Sequence, residues 1–160
     1  MFDTVIDSVI AALTVENIPA VRKFPADVLD RDSAAVAVGL RSGCVSASGY
    51  GDYLGILEQG GELTELYGSK AELCLSIEIF TPAADGHAEE ECTELLGDVC
   101  ACIGHLAGVK LKSFEGNAPA YDEETEMFRC ESVLTVMAYL VRESDDAGGF
   151  TDFVLKGVIA

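Results

Sequence analysis

Positive charge is scarce in this chain of 160 residues: ten Lys and Arg stand against 28 Asp and Glu, for a formal net charge of −18. Gripping nucleic acid needs clustered cations facing phosphates, and the largest basic cluster in the sequence is Arg22–Lys23. Tight, direct nucleic-acid binding is therefore not expected. An acidic protein still suits a passage to which DNA must not adhere. Long apolar runs are missing too. None approaches the roughly 20 residues of a bilayer-spanning helix, so no membrane partner is expected. The opening MFDTVIDSVI lacks a basic segment and carries Asp3 and Asp7, unlike a secretory signal. The expectation is a chain that stays in the cytosol or is assembled from cytosolic subunits.

Histidine is nearly absent, and the two present, His87 and His105, fall at opposite ends of one expected helix, about 27 Å apart at 1.5 Å per residue. No motif places a serine or cysteine nucleophile beside either. Cys100, Cys102 and His105 invite a metal reading. Helical residues two apart point about 200° from each other, so the two cysteines cannot share an ion. Cys102 with His105 gives two ligands, too few for a closed zinc site. Gly49, Gly51 and Gly55 hint at a phosphate loop, but Leu54 stands where the dinucleotide fingerprint needs its third glycine, and no P-loop lysine follows. The acidic runs Glu89–Glu91 and Asp122–Glu126 read as solvated faces. No catalytic, cofactor-binding or metal-ligating residue is assigned, and a non-enzyme is expected. The six cysteines, at 44, 74, 92, 100, 102 and 130, are expected as reduced thiols in the absence of an export signal.

What the chain does have is a core: 49% of its residues are hydrophobic, enough for one domain spanning 1–160. In Ala71–Pro82, Leu73, Leu75, Ile77 and Ile79 alternate with Glu72, Cys74, Ser76 and Glu78. Period two predicts a strand with the aliphatics on one face and a solvated or partly covered second face. Phe128–Val141 is apolar or small on both faces from Val133 onward apart from Thr135, the pattern of a central strand. Phe2, Val5, Ile6, Val9, Ile10 and Leu13 follow helical spacing, ending before Pro19. His87–Ala107 predicts a second helix with Cys92, Leu95, Leu96, Val99 and Ile103 on its apolar stripe and Gly108 as its cap. Ala20–Phe24, bracketed by Pro19 and Pro25, reads as an edge strand or extended arm. Ala35–Arg41 and Val109–Phe114 read as strands, Glu115–Glu126 as a polar turn, and Phe150–Ile159 as a possible last strand. Ser42–Ser69 reads as a long irregular connection, part of which extends a hairpin into the Ala71 strand. Together these predict an α+β fold: a mainly antiparallel sheet with two helices on one face, through Ile6, Val9 and Leu13 from one and Leu95, Val99 and Ile103 from the other.

Within that connection Tyr50, Tyr53, Leu54, Ile56 and Leu57 form an apolar cluster. Two readings stand: the cluster folds back on the core of a monomer, or it is a subunit interface, where tyrosine and aliphatic anchors are favoured. The glycines of 43–68 predict poor order in the isolated subunit and ordering on assembly.

The amphipathic first helix, PAVRKFPADVLDR, the strand AVAVGLRSG, the loop SGYGDYLG and the long strand after YGSKAEL together resemble the tail-terminator, or tail-completion, proteins of long-tailed bacteriophages and prophages. The resemblance covers most of the chain in element order and is specific in Pro19–Arg31 and Ser48–Leu57. It implies a non-enzymatic virion component with a small α+β fold that forms a homo-oligomeric ring, often hexameric. It implies a tail-tube protein and a head-connector protein as partners, and a place in the host cytoplasm during assembly and then in the virion tail or neck. The alternative is a small cytosolic bacterial binding domain, monomer or dimer, without catalysis.

Overall fold

The computed structural model describes residues 2–23, 30–104, 106 and 109–143. Among these the order is α1 (Phe2–Val15), β1 (Ala20–Arg22), β2 (Ala35–Ala47), β3 (Tyr53–Gln59), β4 (Glu62–Pro82), α2 (Ala88–Ile103), β5 (Lys110–Gly116), β6 (Ala120–Asp122) and β7 (Met127–Glu143). One mixed sheet runs β1-β2-β4-β7-β5, with β3 also on β4 and β6 on β7. Every pairing is antiparallel except β1 with β2. The fold is α+β, with both helices on the same face.

That face follows from the alternation in β4. Leu73, Leu75, Ile77 and Ile79 are fully buried, and their cross-strand partners Val136, Leu134, Ser132 and Cys130 necessarily share their side of the sheet. Val36 and Val38 of β2 extend this surface. Val5, Ile6, Val9 and Leu13 of α1 and Cys92, Val99 and Ile103 of α2 close over it, with Leu95 and Leu96 packed at the margin. On the other face, helix-free among the described residues, Ala37, Phe80 and Met127 form a small separate cluster.

Several boundaries differ from those the sequence suggests. The expected connection over Ser42–Ser69 is largely strand: β2 runs on to Ala47, a 3-10 turn covers Tyr50–Asp52, and β3 and β4 form a hairpin. Its two-residue loop is Gly60–Gly61, between paired Gln59 and Glu62. Both glycines have positive φ, 65° and 87°, as the twist-matched hairpin turn requires. The Ala71 strand thus begins at Glu62 and is 21 residues long. The expected turn at Glu115–Glu126 holds the end of β5 and all of β6, because Asp122 organises a tight turn into β7: its carboxylate accepts from the Glu124 amide and the Thr125 hydroxyl. Helix α2 stops at Ile103, with the Gly104 amide bonding back to the Cys100 carbonyl. The expected cap Gly108, the end of the edge segment at Phe24 and the last strand at Phe150–Ile159 lie outside the described residues.

Candidate assembly surface

The helices cover only part of the sheet. Phe2, at the start of α1, lies on Gly43, where an added Cβ would sit 3.2 Å from its ring. Past that point β2, the β3–β4 hairpin and the last residues of β7 continue as an arm. The register assigns its faces. Tyr53 pairs with Tyr67, Ile56 with Glu65, Glu58 with Leu63, and Val45 with Ala71. Odd-numbered β4 positions face the helix side, so Val45, Tyr53, Ile56 and Leu63 share that side. All four are exposed, Leu63 at 71% and Ile56 at 50%. Tyr53 and Tyr67 meet edge to face at 5.7 Å, a favourable ring geometry. The Tyr67 hydroxyl donates to Glu65 at 2.6 Å, and this hydrogen bond, with some desolvation, holds its pKa above the ordinary tyrosine value.

The five residues singled out in the sequence do not form one patch. A bulge between Tyr53 and Gly55 sends Leu54 to the helix-free face, where it rests on Gly68: a Cβ there would lie 3.0 Å from Leu54 Cδ1 and 1.8 Å from the Leu140 carbonyl oxygen. Leu57, opposite Thr64, also faces that side, and both leucines are half-buried. Of the four whose side chains are described, Tyr53 and Ile56 belong to the exposed patch. Tyr50 lies in the 3-10 turn, and its side chain is outside the described set. Sequence reading missed Val45 and Leu63. The signal for Leu63 was present: a Gly-Gly pair flanked by Leu57 and Leu63 marks a hairpin.

Charge is segregated by face. On the outer side of the helix layer Asp3, Asp7, Glu16, Glu89, Glu90, Glu91, Glu94 and Asp98 are all exposed. Arg22 answers two of them, donating to Asp3 at 2.7 Å and Asp7 at 2.6 Å; these bonds, chiefly the one to Asp7, raise its pKa further. The helix-free face holds every lysine among the described residues. The Lys23 stem lies over Gly39 and its ammonium donates to Glu78. Lys70 pairs with Tyr139 and Lys110 with Met137, on the same side as Glu72. Lys112, at a bulge, donates to Glu72. That bond holds the Glu72 carboxyl below its ordinary pKa, against a smaller opposing effect of desolvation. Glu78 also accepts from Arg129, which bridges to Glu131.

His87 is exposed, with Nδ1 3.2 Å from Glu90; His105 lies outside the described residues. Cys100 is exposed and Cys102 half-buried, Cys102 lining a cleft of about 600 Å3 between α1 and α2 with Ala12, Val15, Glu16, Ile18 and Asp98. Desolvation, helped by Glu16, pushes the Cys102 thiol pKa up. Cys92 and Cys130 are buried neighbours, and desolvation pushes the Cys92 thiol to about 11. Among the described residues no three His, Cys, Asp or Glu gather as metal ligands, and no helix is long and apolar enough to cross a membrane. No protein-family model matches the chain, and no curated protein matches it either.

Proposed function

We propose that this protein is a structural phage or prophage component whose copies form a ring, capping the tail tube and joining it to the head connector. The observation that carries the reading is the exposed apolar row Val45, Tyr53, Ile56 and Leu63 on one face of the arm, because tyrosine and large aliphatic side chains are what subunit contacts bury. The acid excess fits the same role. In a ring around a DNA passage, carboxylates repel phosphates, so DNA slides through without being gripped. Repulsion between subunits of charge −18 opposes assembly at low ionic strength and weakens as the Debye length falls to about 8 Å near 0.15 M salt. Salt and protein concentration, with the tail tube as template, should therefore favour the ring.

Sedimentation across salt and protein concentration, with tail-tube binding and a DNA titration alongside, tests this. A discrete oligomer weakened by Ile56→Glu is expected. A strict monomer at high concentration and high salt, indifferent to a tail-tube protein, would sink the ring. Tight DNA binding at physiological salt would sink the repulsive passage. The second reading, a small non-catalytic binding domain, is favoured by the α1–α2 cleft, and the strict-monomer outcome would support it.

A further inference from the structure

We infer that the lysine-bearing, helix-free face of one copy docks on the outer, acidic face of α2 of a second copy. This rests on the self-association proposed above and names the surfaces involved. In a molecule of charge −18, Lys70, Lys110 and Lys112 surround one carboxylate, Glu72, giving a local surplus of two positive charges. Between them on β7 stand Tyr139, opposite Lys70, and Met137, opposite both Glu72 and Lys110, with the small, half-buried Cys74 and Thr135 beside them. From Lys70 to Lys110 is two strand spacings across and two residues along, about 12 Å.

Helix α2 presents a matching surface. Ala88, Cys92, Val99 and Ile103 face the core; Glu90, Glu94 and Asp98, four residues apart, point away from it. Glu90 to Asp98 covers eight residues, about 12 Å of helix. Gly97 and the exposed Ala101 lie within this stripe. A Cβ at Gly97 would meet nothing within 4 Å, so no contact among the described residues accounts for a glycine that costs helix stability there. An approaching sheet face does account for it, since the missing side chain lets the two backbones come close. The apolar row of the arm lies on the same side of the sheet as α2, so one neighbour can cover both. The patch is too small a surplus to hold DNA against the charge of the whole chain, which favours a second copy as its occupant.

The two surfaces lie on different faces of the subunit, so the contact is heterologous: it closes into a ring where successive rotations complete a turn and otherwise grows into a filament. Net repulsion between copies and local attraction coexist, because a partly desolvated contact is screened less by salt than the distant charges are.

Charge exchange at fixed salt is the test. K70E/K110E and, separately, E90K/E94K, each checked for an unchanged thermal melt, are expected to weaken self-association at least about tenfold, since each sets like charges face to face. Mixing the two variants is expected to restore association as alternating copies. If K70E/K110E folds poorly, K70Q/K110Q replaces it, with a smaller loss expected. An oligomer indifferent to both charge reversals, or a mixture that stays dissociated, overturns this contact and leaves the ring reading standing. An open-ended series of sizes that follows the charge pattern upholds the contact and overturns the ring. A strict monomer overturns both. Saturable DNA binding lost in K70E/K110E overturns the second copy as occupant in favour of nucleic acid.

Discussion

Arg129 donates from Nη2 to the carboxylate of Glu78 at 3.0 Å while its guanidinium lies 5.8 Å from the Phe80 ring centroid. Glu78 is 7% exposed, so its charge depends on this donor and on Lys23. Arg129→Ala should cost about 2–4 kcal/mol, because it leaves a mostly buried carboxylate with one exposed, flexible partner. Urea unfolding measures it; an unchanged midpoint would mean that water takes over the role of Arg129.

Val99 is fully buried between α2 and the sheet. Val99→Asp buries a charge in an apolar cluster and should unfold the domain, a loss above about 4 kcal/mol. A soluble Val99→Asp protein that melts cooperatively near the parent temperature would count against the packing of α2.

The cysteines should separate by reactivity. Cys44 and Cys100, both exposed, should be alkylated first, and the buried pair Cys92 and Cys130 only on unfolding. Cys92 also predicts a pH effect. Its folded pKa is raised from 9.0 to about 11, so between these values the folded state keeps a proton that the unfolded chain has lost. The contribution is fully present below pH 9 and is lost as pH rises through about 11. Cys92→Ala should flatten that part of the stability profile while lowering stability overall.

Gly68→Ala should destabilise the arm by about 1–3 kcal/mol, since its Cβ would strike the Leu140 carbonyl. Hydrogen exchange should then quicken across Tyr53–Tyr67, with α1 and the paired core of β4 unaffected. Equal acceleration everywhere would show that the arm and core unfold as one unit.

The core was legible because each of its elements has one dominant period. Leu73 to Ile79 alternate strictly, and Val5, Val9 and Leu13 keep helical spacing, so side, partner and layer followed. The arm lacks that contrast. In β3, Ile56 is exposed and Leu57 half-buried on opposite faces, and glycines interrupt the run, so neither period stands out. The apolar cluster was visible as composition, but a bulge at Leu54 divided it between faces, and bulges have no sequence period. The lysine patch was invisible for a different reason. Lys70 and Lys110 are 40 positions apart, and only β7 lying between β4 and β5 brings them together, so Arg22–Lys23 looked like the largest basic cluster when it was not.

Strand β4 pairs with the whole of β7, from Leu66 with Glu143 to Pro82 with Met127, and at about 3.3 Å per residue its 21 residues extend roughly 70 Å. Such a pair behaves as a mechanical element. A force along the strands loads the shared hydrogen bonds together in shear, while a force at the Gly60–Gly61 tip perpendicular to them opens the ladder one bond at a time. Tension directed along β4 would therefore be resisted far better than the same tension applied across it.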